Sequence, residues 1–346
     1  MEKILTVVVP AYHVEKYICK NLDSLVNIKN RDKLEVLVVD DGSSDRTGEI
    51  ADSYAAAYAD CVRVIHQSNK GHGGTINTGI KEALGRYFKV VDGDDWVDSP
   101  ALEALIEKLE KLCEDLVFTD YTEFYENDGT TRSFALPLKP EKTLYPEDMK
   151  LNQFILIHYY TVRTEILRKL PYPIDEHCYY ADTEYILYPL PFVRTLRYEK
   201  LDVYRYRLGR AGQSVSPEGF RKHYKENEKT LMAVYTYYDE IKKLPQTQWT
   251  EQNQLLNYYM PRTIFELFWR HELKCMWFLE KEERPLGAYL RALEKRAKKE
   301  SAKIYNFLDR AEDRKRTLSN LQIRILRLTG FRLWRLVRLK KKLVRR

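Results

Sequence analysis

The sequence predicts an α/β fold built on a mainly parallel sheet flanked by helices, followed by an α-helical C-terminal region. Three observations carry this. Short Val-rich apolar runs alternate with stretches of helical apolar spacing up to about Asp120. The first two runs stop abruptly at Pro10 and at Asp40-Asp41-Gly42. From about Pro217 helical spacing takes over almost completely. Strands and helices alternating at these lengths imply βαβ units, whose ligands sit at the carboxyl ends of the strands.

In order, Ile4–Val9 and Leu34–Val39 are β-branched runs, followed by Val62–His66, Tyr87–Val91 and Leu116–Thr119. Each is too short for a helix and reads as a buried strand. Between them Glu15–Ile28, Thr47–Tyr58, Thr75–Leu84 and Pro100–Leu112 carry helical spacing. Ser99 is placed to cap the last of these, with Pro100 at its first position. Tyr121–Tyr125 and Thr130–Leu136 flank Glu126-Asn127-Asp128-Gly129, which predicts a hairpin. Val162–Leu170 and Ala181–Leu187 read as short helices and Thr195–Arg207 as a strand. The expected domains are 1–216, a helical region 217–313, and a basic tail 314–346.

With 346 residues, 44% apolar and 32% charged, the chain has a soluble globular composition, which excludes disordered and fibrous classes. It has no uncharged apolar stretch long enough to span a membrane. Met1–Thr6 runs straight into a strand, which predicts no leader. The five Cys are scattered with no C-x-x-C pair, which argues against a disulfide framework or thiolate zinc site and fits a reducing cytosol. The net charge of +7 is unevenly held: Arg314–Arg346 contains 13 Lys or Arg and no Asp or Glu. The other 313 residues hold 45 basic and 51 acidic groups, so a mildly acidic body carries a basic tail.

On a helical projection of that tail, Ile323, Leu326, Leu333, Trp334 and Val337 share one side and Arg324, Arg327, Arg335 and Arg338 the other. This pattern predicts an interfacial helix on an anionic membrane surface. The alternative is a solvated basic helix docked on its own domain. Apolar residues interleaved with the arginines argue against nucleic acid as the partner.

Acidic clusters lie at two predicted strand ends, Asp40-Asp41 and Asp92-Gly93-Asp94-Asp95. Carboxylates leaving a strand in the pattern Asp92-x-Asp94 can face one crevice and hold Mn²⁺ or Mg²⁺ through oxygen ligands. Gly71-His72-Gly73-Gly74 has neither dinucleotide-binding spacing nor a P-loop continuation, which disfavours NAD enzymes and P-loop NTPases. His72, with no second His at ligand spacing, reads as a loop residue.

Taken as a set, these segments resemble family 2 glycosyltransferases, inverting enzymes of the GT-A fold, in the bacterial surface-polysaccharide branch. The residues that carry the resemblance are Val8–Tyr17, Val38–Asp45, Asn69-Lys70-Gly71 with Asn77–Ile80, Val91–Trp96, Tyr180–Tyr185, and Tyr206-Arg207 with Ser214-Val215-Ser216. His13 stands where the family usually has Asn, and Ala181 where an acidic residue often precedes the base; neither removes a required carboxylate.

The resemblance implies that Pro10, Ala11 and Tyr12 line the base pocket, and that Asp41 accepts a hydrogen bond from uracil or thymine N3–H. Asn69, Gly71 and Gly93 would belong to the nucleotide-sugar site. Asp92 would approach ribose and metal, Asp94 would ligate the metal, and Asp182 would be the general base. Arg207 and Arg210 either close over the diphosphate or are ordinary surface arginines.

The implied reaction moves a hexose or N-acetylhexosamine from a UDP-sugar to a hydroxyl of a surface glycan or lipid-linked acceptor, at the cytoplasmic face of the cell membrane. One rival is a nucleotidyltransferase, but Pro10-Ala11-Tyr12 is not the Gly-rich basic loop it would need. The other is a non-catalytic nucleic-acid- or membrane-binding protein acting through the tail.

Overall fold

A computed structural model describes residues 2–149, 151–210, 213, 216–244, 252–279 and 283–305. The predicted tail helix at 314–346 lies outside the described residues, as do Ser214 and Val215. The described residues divide into two units: the first runs to Gln213 and includes 252–257, and the second takes 216–244 and the residues from Tyr258 on.

The first unit is organised by one sheet. β1 (Leu5–Ala11), β2 (Leu34–Asp40), β3 (Val62–His66) and β4 (Tyr87–Val90) lie in the order β3-β2-β1-β4, all parallel. Every residue of β1, β2 and β4 is buried, which is why these strands read as near-continuous apolar runs. Each fully covered Val or Leu contributes roughly 1.5–3 kcal/mol relative to exposure. β6 (Leu116–Tyr125) and β10 (Leu196–Leu208) are also parallel.

Antiparallel strands make the sheet mixed. β9 (Tyr160–Arg163) joins β4 to β6, and β5 (Trp96–Val97) pairs with β10. β7 (Thr131–Phe134) completes the predicted hairpin on β6, and β8 (Thr143–Leu144) pairs with β10. The helix expected over Val162–Leu170 is instead β9 followed by one turn, α5 (Thr164–Leu167). Four residues cannot express a period, and strands on both sides decide the conformation.

Helices α1 (Ile18–Val26), α2 (Thr47–Ala57), α3 (Gly71–Glu82) and α4 (Ser99–Lys111) follow the predicted order, and α6 (Asp182–Leu187) lies further on. The cap of α4 is not Ser99. Asp98 Oδ1 accepts from Ala101 N–H at 3.0 Å, while the Ser99 hydroxyl donates to the Ser24 carbonyl at 2.7 Å. A carboxylate is the better partner for the exposed N–H groups of a helix start. Helix α3 begins at Gly71, four residues before its predicted start, and takes in the glycine-rich segment.

In the second unit, α7 (Pro217–Ile241) starts with Ser216 Oγ accepting from Gly219 N–H at 2.9 Å and Pro217 in its first turn. It is followed by α8 (Met260–Phe278), α9 (Glu283–Glu300) and α10 (Ala302–Tyr305). Phe220, Cys275 and Leu290 form a core cluster in this unit. Buried His271 donates from Nδ1 to Asn227 Oδ1 at 2.7 Å, and its Nε2 lies 3.1 Å from Tyr289 Oη, a polar tie between three helices. No described helix in either unit is long and apolar enough to cross a membrane.

Candidate active site

Strand β1 has β2 on one side and β4 on the other, so the loops leaving these strands diverge around a crevice, the usual ligand position in such sheets. Backbone bonds fix the crevice walls: Asp41 N–H donates to Ala11 O at 2.9 Å and Gly93 N–H to Pro10 O at 3.1 Å. Pro10 and Ala11 are buried, whereas Tyr12 is 49% exposed, with the His13 ring stacked on it at 4.0 Å. A ring left open at a strand end is suited to stacking on a planar ligand.

Asp41 is buried and already engaged. Its Oδ1 accepts from Gln67 Nε2 at 2.7 Å and Lys70 N–H at 2.8 Å, and its Oδ2 from Gly71 N–H at 2.8 Å. Asn69 is exposed, its backbone packed against Gly42. Asp41 thus fastens the start of α3 to the end of β2, besides the base contact expected of it.

After β4 the chain turns through Asp92-Gly93-Asp94-Asp95. Asn21, on the buried face of α1, donates to the carbonyls of both Asp92 and Asp95 at 3.0 Å. The Tyr204 hydroxyl accepts from Asp92 N–H at 3.2 Å and donates to Asp95 Oδ2 at 2.6 Å. Burial together with the charges of Asp94 and Asp92 raises the Asp95 carboxyl well above the carboxylate range. With Oδ2 accepting from Tyr204 and Oδ1 from Arg207 N–H, Asp95 is a structural member of the turn.

Arg207 is buried, so it is no surface arginine. Its backbone N–H donates to Asp95 Oδ1 at 2.8 Å, its Nε to the Asp94 carbonyl at 2.8 Å, and its Nη1 to Glu126 at 3.1 Å. Its guanidinium also lies over the rings of Tyr17 and Trp96, at 4.8 and 4.9 Å. Arg210 Nε pairs with Asp94 Oδ2. Burial raises the Asp94 carboxyl, Arg210 opposes that, and Asp92 adds to it, with a net rise.

His72 is the residue the sequence reading missed. As the second residue of α3, its Nε2 lies 2.8 Å from Asp92 Oδ1. Burial works against its protonation, but Asp92, Asp182 and Asp94 outweigh this and raise its pKa. Burial raises Asp92 in turn, and His72, with His158 and Arg210, brings it below the usual range.

Asp182 opens α6, reached through a segment folded onto α3. His177 N–H donates to Lys70 O at 2.6 Å, and Asn77 exchanges bonds with both backbone groups of Ile174 at 2.8 and 3.0 Å. A side chain at Gly73 would overlap the Asp175 carbonyl, so the close approach requires glycine there. Burial raises the Asp182 carboxyl, His72 opposes and Asp92 reinforces the shift, and the net effect is a rise. Asp182 therefore lies in the field of the Asp92–His72 pair, although 90 residues separate it from Asp92.

The site thus brings Asp41, Asp92, Gly93, Asp94, Arg207 and Asp182 around one crevice and adds Asn21, His72 and Tyr204. Asn21 had a signal in the sequence, since it is a polar residue on the apolar stripe of Ile18, Leu22 and Leu25. For His72 and Tyr204 no local pattern pointed to the partner. The oxygen-rich set of Asp92 and Asp94 suits a hard divalent cation. Asp92 Oδ2 has no protein partner among the described residues, whereas Oδ1 is taken by His72.

Comparison with known proteins agrees with this architecture. The family model "Glycosyl transferase family 2" matches residues 6–170. "Uncharacterized glycosyltransferase EpsJ" of Bacillus subtilis (strain 168) is 35% identical over 191 residues, 53% of this chain and 54% of the relative. The chain thus matches about half the length of this curated relative. The crystal structure of S. aureus TarS 1-349 in complex with UDP-GlcNAc superposes with a TM-score of 0.58 at 20% identity, covering 96% of this chain and 91% of that one. Mannosyltransferase PcManGT from Pyrobaculum calidifontis, in complex with GDP-Man and Mn²⁺, gives a TM-score of 0.50 at 15% identity, covering 84% and 79%. At these identities the two structures speak for a common fold.

Proposed function

From the match of residues 6–170 to the family model "Glycosyl transferase family 2", we propose an inverting, metal-dependent transfer of a hexose or N-acetylhexosamine from a UDP-sugar to a glycan or lipid-linked hydroxyl. One observation carries the reading: Asp92 and Asp94 leave a strand beside β1, and Asp182 lies in the electrostatic field of the hydrogen-bonded Asp92–His72 pair.

On this reading the donor base stacks on Tyr12 beside Asp41, and Asn69, Gly71 and Gly93 border the nucleotide. Asp94 with Asp92 would hold Mn²⁺ or Mg²⁺, and the chemistry supplied by such a cation is neutralisation of the departing diphosphate. Arg207 and Arg210, on the strand-end segment beside Asp94, add positive charge near that diphosphate. Asp182 takes the proton of the acceptor hydroxyl as its oxygen attacks the anomeric carbon and the bond to the diphosphate breaks on the opposite face. Burial raises its pKa, which suits it to that proton transfer, because a carboxylate with a raised pKa binds the proton more strongly than an ordinary one.

The relatives support the coarse reaction. Their names give glycosyl transfer, and the two structures carry UDP-GlcNAc and GDP-Man. The basic tail supports a location at the cytoplasmic face of a membrane, where an anionic leaflet and a lipid-linked acceptor meet a soluble donor. The test is donor hydrolysis by the purified chain across UDP-, GDP- and dTDP-sugars with Mn²⁺ or Mg²⁺. Preferential metal-dependent hydrolysis of a UDP-sugar is the expected result, and hydrolysis of none of them would overturn the reading.

A further inference from the structure

We propose that His72 is a positioning residue: by clamping Oδ1 of Asp92 it sets which carboxylate oxygen faces the metal–nucleotide, and it ties that oxygen to the segment bearing Asp182. The inference rests on the donor-site reading above. Nε2 lies 2.8 Å from Asp92 Oδ1, which leaves Oδ2 without a protein partner among the described residues. The Asp92 backbone is held independently, with its N–H on Tyr204 Oη and its carbonyl receiving Asn21 Nδ2. The carboxylate torsion is then the remaining freedom, and the imidazole removes it.

His72 is itself held where it must be. Asp41 accepts from the N–H groups of Lys70 and Gly71 just before it, and Thr75 Oγ1 donates to the His72 carbonyl at 2.6 Å. Gly71 has φ +76°, a conformation that side chains disfavour, and its α-carbon faces the backbone of His177. The same short stretch therefore joins Asp41, Asp92 and the segment leading to Asp182. Removing such a partner of a metal-ligating carboxylate typically costs about 10–100-fold in metal affinity or activity.

The test measures Mn²⁺ affinity in the presence of UDP, by calorimetry or Mn²⁺ paramagnetic resonance, for wild type, His72→Ala and His72→Gln. Gln keeps an N–H donor at a similar reach. His72→Ala should weaken Mn²⁺ binding by roughly 10-fold or more and lower kcat for transfer, while His72→Gln should recover most of both. Circular dichroism melts check that both variants fold. If Ala and Gln bind Mn²⁺ as wild type does, or lose affinity equally, His72 does not position Asp92. If the wild-type chain binds no Mn²⁺ with UDP, the donor-site reading fails first and takes this inference with it.

Discussion

Lys89 offers a test of the sheet beneath the site. It lies on β4, three residues before Asp92, and is fully buried. Among the described residues its Nζ meets the carbonyls of His158 and Tyr160 at 3.0 and 3.2 Å and the face of Tyr204 at 5.7 Å, with no carboxylate in ion-pair range. Burial alone lowers its pKa from the usual 10.5 to about 7.

In the unfolded chain the amine keeps its ordinary affinity, so between about pH 7 and 10.5 the unfolded state binds the extra proton. Stability contributed by this group therefore rises with pH across that window. The gain approaches ~1.4 kcal/mol per pH unit, or about 2 kcal/mol between pH 7 and 9. Lys89→Met removes the titration. It also removes the Nζ bonds to both carbonyls, at a cost of about 1–3 kcal/mol that does not depend on pH. Urea unfolding of wild type and Lys89→Met at pH 7, 8 and 9 isolates the effect, since other groups cancel in the difference. Wild type should gain about 2 kcal/mol on the variant over that range. A difference that stays flat with pH would refute the buried, charge-averse lysine.

Asp94→Asn should abolish transfer and weaken Mn²⁺ binding, read by calorimetry with UDP; wild-type turnover would remove Asp94 from the metal role. Asp182→Asn should lower kcat by roughly 10²–10⁴-fold with UDP affinity little changed, and product NMR should report an inverted anomeric centre. Gly73→Ala forces a methyl against the Asp175 carbonyl and should cost roughly 1–3 kcal/mol in a melt, with transfer reduced through the Asp182 segment. Truncation before Leu318 should release the chain from anionic liposomes in co-sedimentation yet spare transfer to a small soluble acceptor. A fluorescence blue shift of Trp334 on those liposomes is expected, in a variant where it is the only Trp, because an interfacial helix would insert its apolar face where salt does not screen it.

Strands β1, β2 and β4 were legible because a strand buried on both faces is dominated by apolar residues, with Thr6, Glu35 and Lys89 among the polar exceptions, a pattern visible within seven residues. The acidic turns after β2 and β4 were legible for the same local reason, since a run of carboxylates cannot continue a buried strand. Asp182 was legible only through its resemblance to a family motif, because no local pattern links it to Asp92. Tertiary structure decided the rest. Whether Arg207 is surface or buried depends on Glu126, Tyr17 and Trp96, all distant in sequence. The direction of β9 depends on the two strands it fills between. His72 meets Asp92, which follows β4, because Asp41 pins the start of α3 to the end of β2 two strands away, and a lone histidine among glycines carries no trace of that in its own neighbourhood. Strand composition reports burial, which neighbours along the chain share, whereas a hydrogen bond between side chains reports a distance that only the packed sheet and helices can set.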